Sequence, residues 1–346
     1  MRERKKVAIA LSGGVDSSVS ALLLKQQGYE VIAFTAKLTP GDYSSVVENA
    51  RSVADKLDIP FYFIDLSDFF SNTIISYFEN SYKQGKTPNP CIFCNKFVKW
   101  GKLFDFAKEK GCGYIATGHY AKITEKDGIH LLYPAKDTQK DQLYFLYNIP
   151  QNVLSKTIFP LSSFESKEEI RKIAFDNDLP SKSAKDSQDV CFIQNTSSSK
   201  YIDNFIEHKK GDFILVSTGE KLGIHNGAAK FTPGQRKGIG IAYKEPLYVI
   251  NTDVEKNIVY VGTKQDTYSN NINLSDINMH DFRYQNSFKA MVKIRYNMQA
   301  KPASITLNQN EAVLTFDEAV SGIAKGQSAV FYSADDGHLI GGGIIC

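Results

Sequence analysis

The 346-residue sequence contains no apolar run near the ~20 residues that a membrane-crossing helix needs. After the basic start that ends at Lys6, Val7-Ala-Ile-Ala-Leu11 is too short for the apolar core of a signal peptide. A cytoplasmic protein without a membrane partner is therefore expected. Neither sign of charge is in excess: 41 Lys and Arg stand against 38 Asp and Glu, for a net +3. That balance neither demands nor excludes a polyanionic partner, because the placement of the bases decides. Cysteine is scarce as well. Cys91, Cys94, Cys112, Cys191 and Cys346 are too few and too scattered for a disulfide framework, which leaves core filler, metal ligands or working thiols. No internal repeat or low-complexity tract occurs, and 42% hydrophobic with 23% charged residues excludes a disordered or collagen-like chain.

What is present is an alternation of strand and helix over the first ~195 residues. Val7 to Leu11 reads as a strand buried on both faces, followed by a helix from Ser17 to Gln27 that Gly28 ends. Val31 to Phe34, Phe61 to Ile64 and Tyr114 to Thr117 are further short strands. Tyr43 to Leu57 and Asn95 to Lys110 are helical in pattern, and Ser166-Lys-Glu-Glu169 is a capping box ahead of Ile170. This order predicts an α/β domain with a parallel sheet. After Asn195, one more helix is expected over Lys200 to Lys209. Short β runs then follow at Phe213, Leu247, Ile258, Ala290, Ala303, Ala312 and Ala329, as in small barrels or sandwiches.

Ser12-Gly-Gly-Val-Asp-Ser-Ser18 lies between the first strand and the first helix. Paired glycines let the backbone approach an anion. Asp16, Ser17 and Ser18 offer caps and hydroxyls at a helix N-terminus, where free N–H groups favour phosphate. No Lys follows the glycines as a Walker loop requires, and the G-x-G-x-x-G spacing is missing. Thr87-Pro-Asn-Pro-Cys-Ile-Phe-Cys-Asn95 sets Cys91 and Cys94 ahead of a helix, a position that favours the reactive thiolate. Cys191, beside Phe192 and Ile193, reads as buried on sequence alone, and Cys112 and Cys346 read as inert.

The loop matches the S-G-G-x-D-S PP-loop of the N-type ATP pyrophosphatases, which grip the pyrophosphate of ATP while an acceptor oxygen attacks the α-phosphorus. Further motifs follow in order: Thr87-Pro-Asn-Pro90, Cys94-Asn95, Thr117-Gly-His-Tyr-Ala121, Lys140-Asp-Gln142, Asp186-Ser with Cys191-Phe-Ile193, and Thr232-Pro-Gly-Gln-Arg-Lys-Gly-Ile-Gly240. Together they resemble the bacterial tRNA-specific 2-thiouridylases of the MnmA/TrmU family along nearly the whole chain. The resemblance implies a PP-loop domain over 1–196, a small central β domain over 197–268 and a C-terminal β-barrel over 269–346. It implies an ATP-dependent sulfurtransferase that replaces the 2-oxygen of the wobble uridine by sulfur.

Carried over by the resemblance, Ala10, Leu11, Ser12, Gly13, Gly14, Val15, Asp16, Ser17, Ala36 and Gly118 would bind ATP, with Mg²⁺ on its phosphates. Cys191 would carry the persulfide and Cys94 would be the partner cysteine that closes a disulfide with it. Asn89, Pro90 and Cys91 would face the target base. Lys140, Asp141, Gln142, His119, Arg295, Tyr296 and Gln327 would contact tRNA. The implied partners are tRNA and a sulfur-donor protein, either a cysteine desulfurase or a sulfur relay.

The sequence departs from the family where Cys91 replaces the usual Asp, where Gln188 and Asp189 stand between Asp186-Ser and Cys191, and in a shorter stretch after Lys37. The Cys91 exchange opens an alternative in which Cys91, Cys94 and Cys191 hold a [4Fe–4S] cluster with one open iron. The persulfide cycle ranks first and the cluster second. Two further readings differ in class: an amidating PP-loop enzyme, which has no use for the thiols, and a non-catalytic RNA-binding or redox module. Basic candidates for an RNA-facing surface are Lys99-Trp100, Lys209-Lys210, Arg236-Lys237, Arg283-Tyr284 and Lys293 to Tyr296.

Overall fold

The structure, a computed structural model, describes residues 5–137, 140–184, 190–193 and 196–346. These divide into two compact units. One is built from the described residues of Met1–Thr73, Cys91–Phe192 and Asp336–Leu339, the other from those of Ile74–Pro90, Ile193–Asp335 and Ile340–Cys346. No helix among the described residues is long and apolar enough to cross a membrane.

The first unit is α/β. Strands β1 (Lys6–Ala10), β2 (Glu30–Lys37), β3 (Phe61–Asp65), β4 (Tyr114–Ala116) and β7 (Thr157–Ile158) form a parallel sheet in the order β3-β2-β1-β4-β7. Val7, Ala8 and Ile9 are all fully buried, so β1 is covered on both faces, as its unbroken apolar run predicts. Helix α1 (Val15–Gln26) buries Val15, Val19, Leu22 and Leu24, and α2 (Ser44–Lys56) buries Ala50, Val53 and Ala54. Helix α1 starts two residues earlier than Ser17. Its N-cap is Gly14 in extended conformation, without a side-chain cap. Ser17 and Ser18 lie in the first turn, and their hydroxyls donate back to the Gly14 carbonyl at 3.1 and 2.8 Å. The serine half of the expected capping box forms, with Ser166 Oγ accepting from the Glu169 N–H at 3.3 Å at the start of the helix Lys167–Asp176. The Glu169 carboxylate instead accepts from the Glu165 N–H at 3.2 Å, one residue before the cap. The expected helix over Asn95 to Lys110 is instead a π-helical stretch, Cys94–Lys102, that continues as the α-helix Leu103–Glu109. A hairpin of β5 (Ala121–Lys126) and β6 (Ile129–Pro134) went unforeseen.

The second unit is mostly β. Strands β8 (Lys210–Leu215), β9 (Lys221–Asn226), β10 (Tyr248–Asp253) and β11 (Ile258–Gly262) make a four-stranded sheet around Phe213, Val249, Val259 and Val261. Strands β12 (Tyr268–Met279), β13 (Ser287–Lys293), β14 (Lys301–Asn308), β15 (Glu311–Ser321), β16 (Ser328–Tyr332) and β17 (Leu339–Ile345) close a barrel over Leu274, Val292, Ile305, Leu314 and Phe331. Closure leaves no open sheet edge. Two of its strands, β12 and β17, were not legible in the sequence. Strand β17 carries Gly341-Gly-Gly343, which reads as a turn. A Cβ at Gly341 would lie 2.5 Å from the Asn278 carbonyl oxygen, so glycine here serves close strand approach rather than a bend. The helix expected over Lys200 to Lys209 is only Ser198–Asp203.

Candidate active site

In the sheet of the first unit, β1 lies between β2 and β4, where the chain order reverses, and ligands of α/β sheets bind beyond the carboxyl ends of strands at such a point. The loop leaving β1 is held there by Leu11 N–H, which donates to the Phe34 carbonyl at 2.9 Å, and by Thr35 Oγ1, which donates to the Leu11 carbonyl at 2.7 Å. Gly13 has φ +76°, and a Cβ there would meet Asn49 Cβ at 3.2 Å, so the turn needs glycine. Ser12 N–H donates to Ser17 Oγ at 3.2 Å and ties the loop to the first turn of α1.

The loop borders a cavity of about 330 Å³. Ala10, Leu11, Ser12, Asp16, Ser17, Ala36 and Gly118, all expected at ATP, line it together with Thr35, Leu38 and Val46. Gly13 and Gly14 shape the loop, and Val15 is a buried anchor of α1 rather than a wall residue. Gly118 packs directly on α1, where a Cβ would stand 2.9 Å from Ser17 N. The same wall carries Cys94, Val98, Lys99, Leu103, His119 and Gln142.

Asp16 has partners that sequence reasoning missed. Lys167 Nζ lies 2.5 Å from each carboxylate oxygen, and Tyr120 Oη donates to Oδ1 at 2.7 Å. The only hint in the sequence was a lysine just inside a capping box, a position that gives no reason for burial.

The π-helical stretch sets Cys94, Val98, Lys99 and Leu103 on one wall. Cys94 is buried, and burial pushes its thiol up to about 12, partly opposed by the Lys99 ammonium and reinforced by the nearby Cys191 and Cys91. The thiolate bias expected from a helix N-terminus is therefore overturned, because desolvation outweighs it. Cys91 and Cys191 keep exposed surface, so the burial read for Cys191 from its apolar neighbours is corrected. Their thiols are nonetheless raised, first by burial, with Lys99 again opposing. Cys112 is buried, its thiol pushed up to about 11 mainly by burial, whereas Cys346 is exposed. Lys99 Nζ is 3.3 Å from His119 Nε2, and His119 Nδ1 is 2.8 Å from Thr117 Oγ1. Burial and Lys99 hold the imidazole well below its usual range, so neutral His119 accepts from Lys99 at Nε2 and donates to Thr117 from Nδ1. Trp100, buried and donating to Thr157 Oγ1 at 2.9 Å, cannot face RNA from the surface, whereas Lys99 lines the cavity.

Although the three cysteines act on one another electrostatically, no group of three or more His, Cys, Asp or Glu among the described residues is disposed to hold a metal ion. The described residues thus show neither a ligand set for an iron–sulfur cluster nor a carboxylate cage for Mg²⁺.

The remaining expected residues are dispersed. Asn89 and buried Pro90 lead into Cys91. Lys140 is exposed and Asp141 half-buried, while Gln142 accepts from Tyr120 N–H at 3.0 Å and reaches the cavity. In the second unit, Arg295 donates to the Pro233 carbonyl at 3.0 Å, Gln327 donates to the Thr87 carbonyl at 2.9 Å, and Tyr296 is half-buried. Asp186-Ser, Gln188 and Asp189 lie outside the described residues.

Protein-family models match three stretches: "tRNA methyl transferase HUP domain" over residues 5–195, "tRNA methyl transferase PRC-barrel domain" over 199–263 and "Aminomethyltransferase beta-barrel domain" over 269–345. The chain is 42% identical over 354 residues to the tRNA-specific 2-thiouridylase MnmA 1 of Clostridium tetani, covering 99% of this chain and 97% of that one. It is 40% identical over 357 residues to the tRNA-specific 2-thiouridylase MnmA of Clostridioides difficile, covering 99% and 98%. A solved 4-thiouridine synthetase–RNA complex with bound ATP aligns with 58% of this chain and 50% of its own, at 18% identity and a TM-score of 0.38, too slight a likeness to bear on the argument.

Proposed function

The chain belongs to the tRNA-specific 2-thiouridylase family, and from that premise we propose that its cavity adenylates the 2-oxygen of the wobble uridine of tRNA and replaces it by sulfur carried on Cys191. It is an ATP-dependent sulfurtransferase acting on tRNA. The observation that carries the finer reading is the single cavity lined by the PP-loop residues Ser12, Asp16 and Ser17 and by Cys94.

The steps follow from the chemistry of the groups. The carbonyl oxygen at C2 of the base attacks the α-phosphorus of ATP and pyrophosphate leaves, which turns a poor electrophile into one with AMP as leaving group. The terminal sulfur of a Cys191 persulfide adds at C2 and the C–O bond to AMP breaks. The Cys94 thiolate then attacks Cys191 Sγ. The bond from Sγ to the transferred sulfur breaks, its electron pair stays on that sulfur as the 2-thio group, and a Cys94–Cys191 disulfide forms. A thiol reductant restores the pair. The high proton affinity of buried Cys94 keeps it from attacking the persulfide early, and Lys99, whose charge opposes the rise at all three thiols, supports the thiolate when it is needed. The exposure of Cys191 supports its loading by a donor protein, a cysteine desulfurase or a sulfur relay. Mg²⁺ is expected to arrive with the ATP phosphates. No step is routed through a cluster.

Two of the matching family models carry descriptions that mention methyl transfer. A phosphate-gripping loop facing a thiol supports sulfur transfer by way of an adenylate instead. The test is to incubate the protein with unmodified tRNA, ATP, Mg²⁺ and a sulfur source, and to digest the tRNA for 2-thiouridine. Cys191→Ser and Cys94→Ser are expected to abolish product. Undiminished 2-thiouridine from Cys191→Ser would overturn the reading, AMP release that needs neither cysteine and yields no 2-thiouridine would favour an amidating enzyme, and absence of AMP release would favour a non-catalytic module.

A further inference from the structure

None of the residues of Thr232-Pro-Gly-Gln-Arg-Lys-Gly-Ile-Gly240 lines the cavity, yet the first four form a braced turn. Gln235 Oε1 accepts from the Thr232 N–H at 3.2 Å, its Nε2 donates to the Lys237 carbonyl at 2.9 Å, and the backbone of Gly234 and Gln235 pairs with Val249. The Arg295 guanidinium fills a slot beside the turn and donates to the Pro233 carbonyl at 3.0 Å. Only glycine leaves that slot open: a Cβ at Gly234 would lie 3.1 Å from Arg295 Nη2, and one at Gly322 would lie 2.9 Å from its Cζ.

The turn so held presents the Thr232 hydroxyl, which accepts from Thr87 Oγ1 at 3.1 Å. The backbone of Thr87 is bound as well. Its N–H donates to the Lys325 carbonyl at 2.7 Å, and its carbonyl accepts from Gln327 Nε2 at 2.9 Å. All three hydrogen-bonding groups of Thr87 are thus engaged by residues 145 to 240 positions later in the chain. Pro88-Asn-Pro90 follows, with both prolines buried and their φ fixed by the ring, and then Cys91. The residues expected at the target base, Asn89 to Cys91, therefore continue directly from a fully anchored one.

We propose that Thr232 is a positioning residue for the target base, which acts through Thr87 to fix the segment 88–90 so that the base is met in one reactive pose. The inference rests on the reading that this segment meets the uridine to be thiolated. It differs from direct contact with RNA, which would set affinity, and from packing alone, which would set stability. A positioning residue sets the rate for tRNA that is already bound.

Single-turnover thiolation by the full-length protein separates these roles, with an unmodified tRNA transcript at saturation, Mg²⁺-ATP and a polysulfide sulfur source. Thr232→Val, which keeps the shape and removes the hydroxyl, is expected to lower the rate about tenfold without a matching loss of tRNA affinity. Thr232→Ser, which keeps the hydroxyl, should stay near the wild-type rate. Thr87→Val should fall as Thr232→Val does, and the double variant should fall no further, since both changes remove one bond. An unchanged rate in Thr232→Val, a loss of tRNA affinity that accounts for the whole fall, a parallel loss of ATP affinity, or falls that multiply in the double variant would each overturn the inference while leaving thiolation standing. Wild-type protein that forms no 2-thiouridine would instead remove the reading of function, and this inference with it. Thr87→Val tests the same bond from its other end even where Thr232→Val does not fold.

Discussion

Lys99 follows Cys94 by five residues, and the π-helical stretch Cys94–Lys102 sets both on the wall of one cavity. In an α-helix of about 3.6 residues per turn, five residues would carry the second side chain roughly 140° away. The wider turn of i→i+5 hydrogen bonding brings it back beside the first, which is how such turns serve functional sites. Lys99 thereby faces the thiol whose proton affinity burial raises most strongly.

Replacing Lys99 by Met is expected to slow alkylation of Cys94 about tenfold, since one unit of thiol pKa is a tenfold change in thiolate below the pKa. Iodoacetamide labelling read by peptide mass between about pH 7 and 9 gives the rate for Cys94 alone. Lys99→Arg should stay near the wild-type line. Loosened packing would speed the reaction instead, so a faster or unchanged Lys99→Met rate counts against the electrostatic role.

Gly118→Ala should weaken the site and the fold together. The added carbon would sit 2.9 Å from Ser17 N and 3.0 Å from the Asp16 carbonyl carbon, both backbone atoms that cannot swing aside. Overpacking of this kind costs about 1–3 kcal/mol, visible as a lower melting temperature and poorer ATP binding. A variant with unchanged melting would show that α1 can shift at no cost.

His119 links stability to acid. Burial and Lys99 hold its folded-state pKa well below the ordinary 6.5, so the unfolded chain takes up a proton that the folded one refuses. The contribution is complete above about pH 6.5 and is lost progressively as pH falls below it. Melting should therefore drop between about pH 7.5 and 5.5, and drop less in His119→Gln. His225, lowered first by its burial, adds a smaller effect of the same sign and keeps some drop in the variant. An equal drop in both proteins would exclude His119 as a contributor.

Removal of iron should leave the reaction intact. Because the persulfide cycle needs no cluster and no group of His, Cys, Asp and Glu among the described residues is disposed to hold a metal ion, protein stripped with an iron chelator and returned to Mg²⁺ is expected to be colourless and to thiolate tRNA at the untreated rate. Activity that falls with iron content and returns on anoxic reconstitution would restore the cluster.

Much of this protein was written locally and could be read locally. The doubly buried strand at Val7 to Leu11, the glycine loop after it and the capping box at Ser166 each depend on residues within a few positions of one another. The α/β unit and the succession of short β runs after it follow from the same signals. Strand β17 escaped because Gly341 and Gly343 serve contacts with Asn278 and Ile277, some sixty residues earlier in the chain.

The amino-acid order by itself determined the phosphate loop, its place between strand and helix, and the short list of thiols able to do chemistry. Only the tertiary structure decided which partners those groups have. It brought Lys167 and Tyr120 to Asp16 across more than a hundred residues, turned Lys99 toward Cys94 by widening one helix, and raised that thiol by burial. Charge compensation and desolvation depend on distance in space, and neither is encoded in any stretch short enough to be read as a motif.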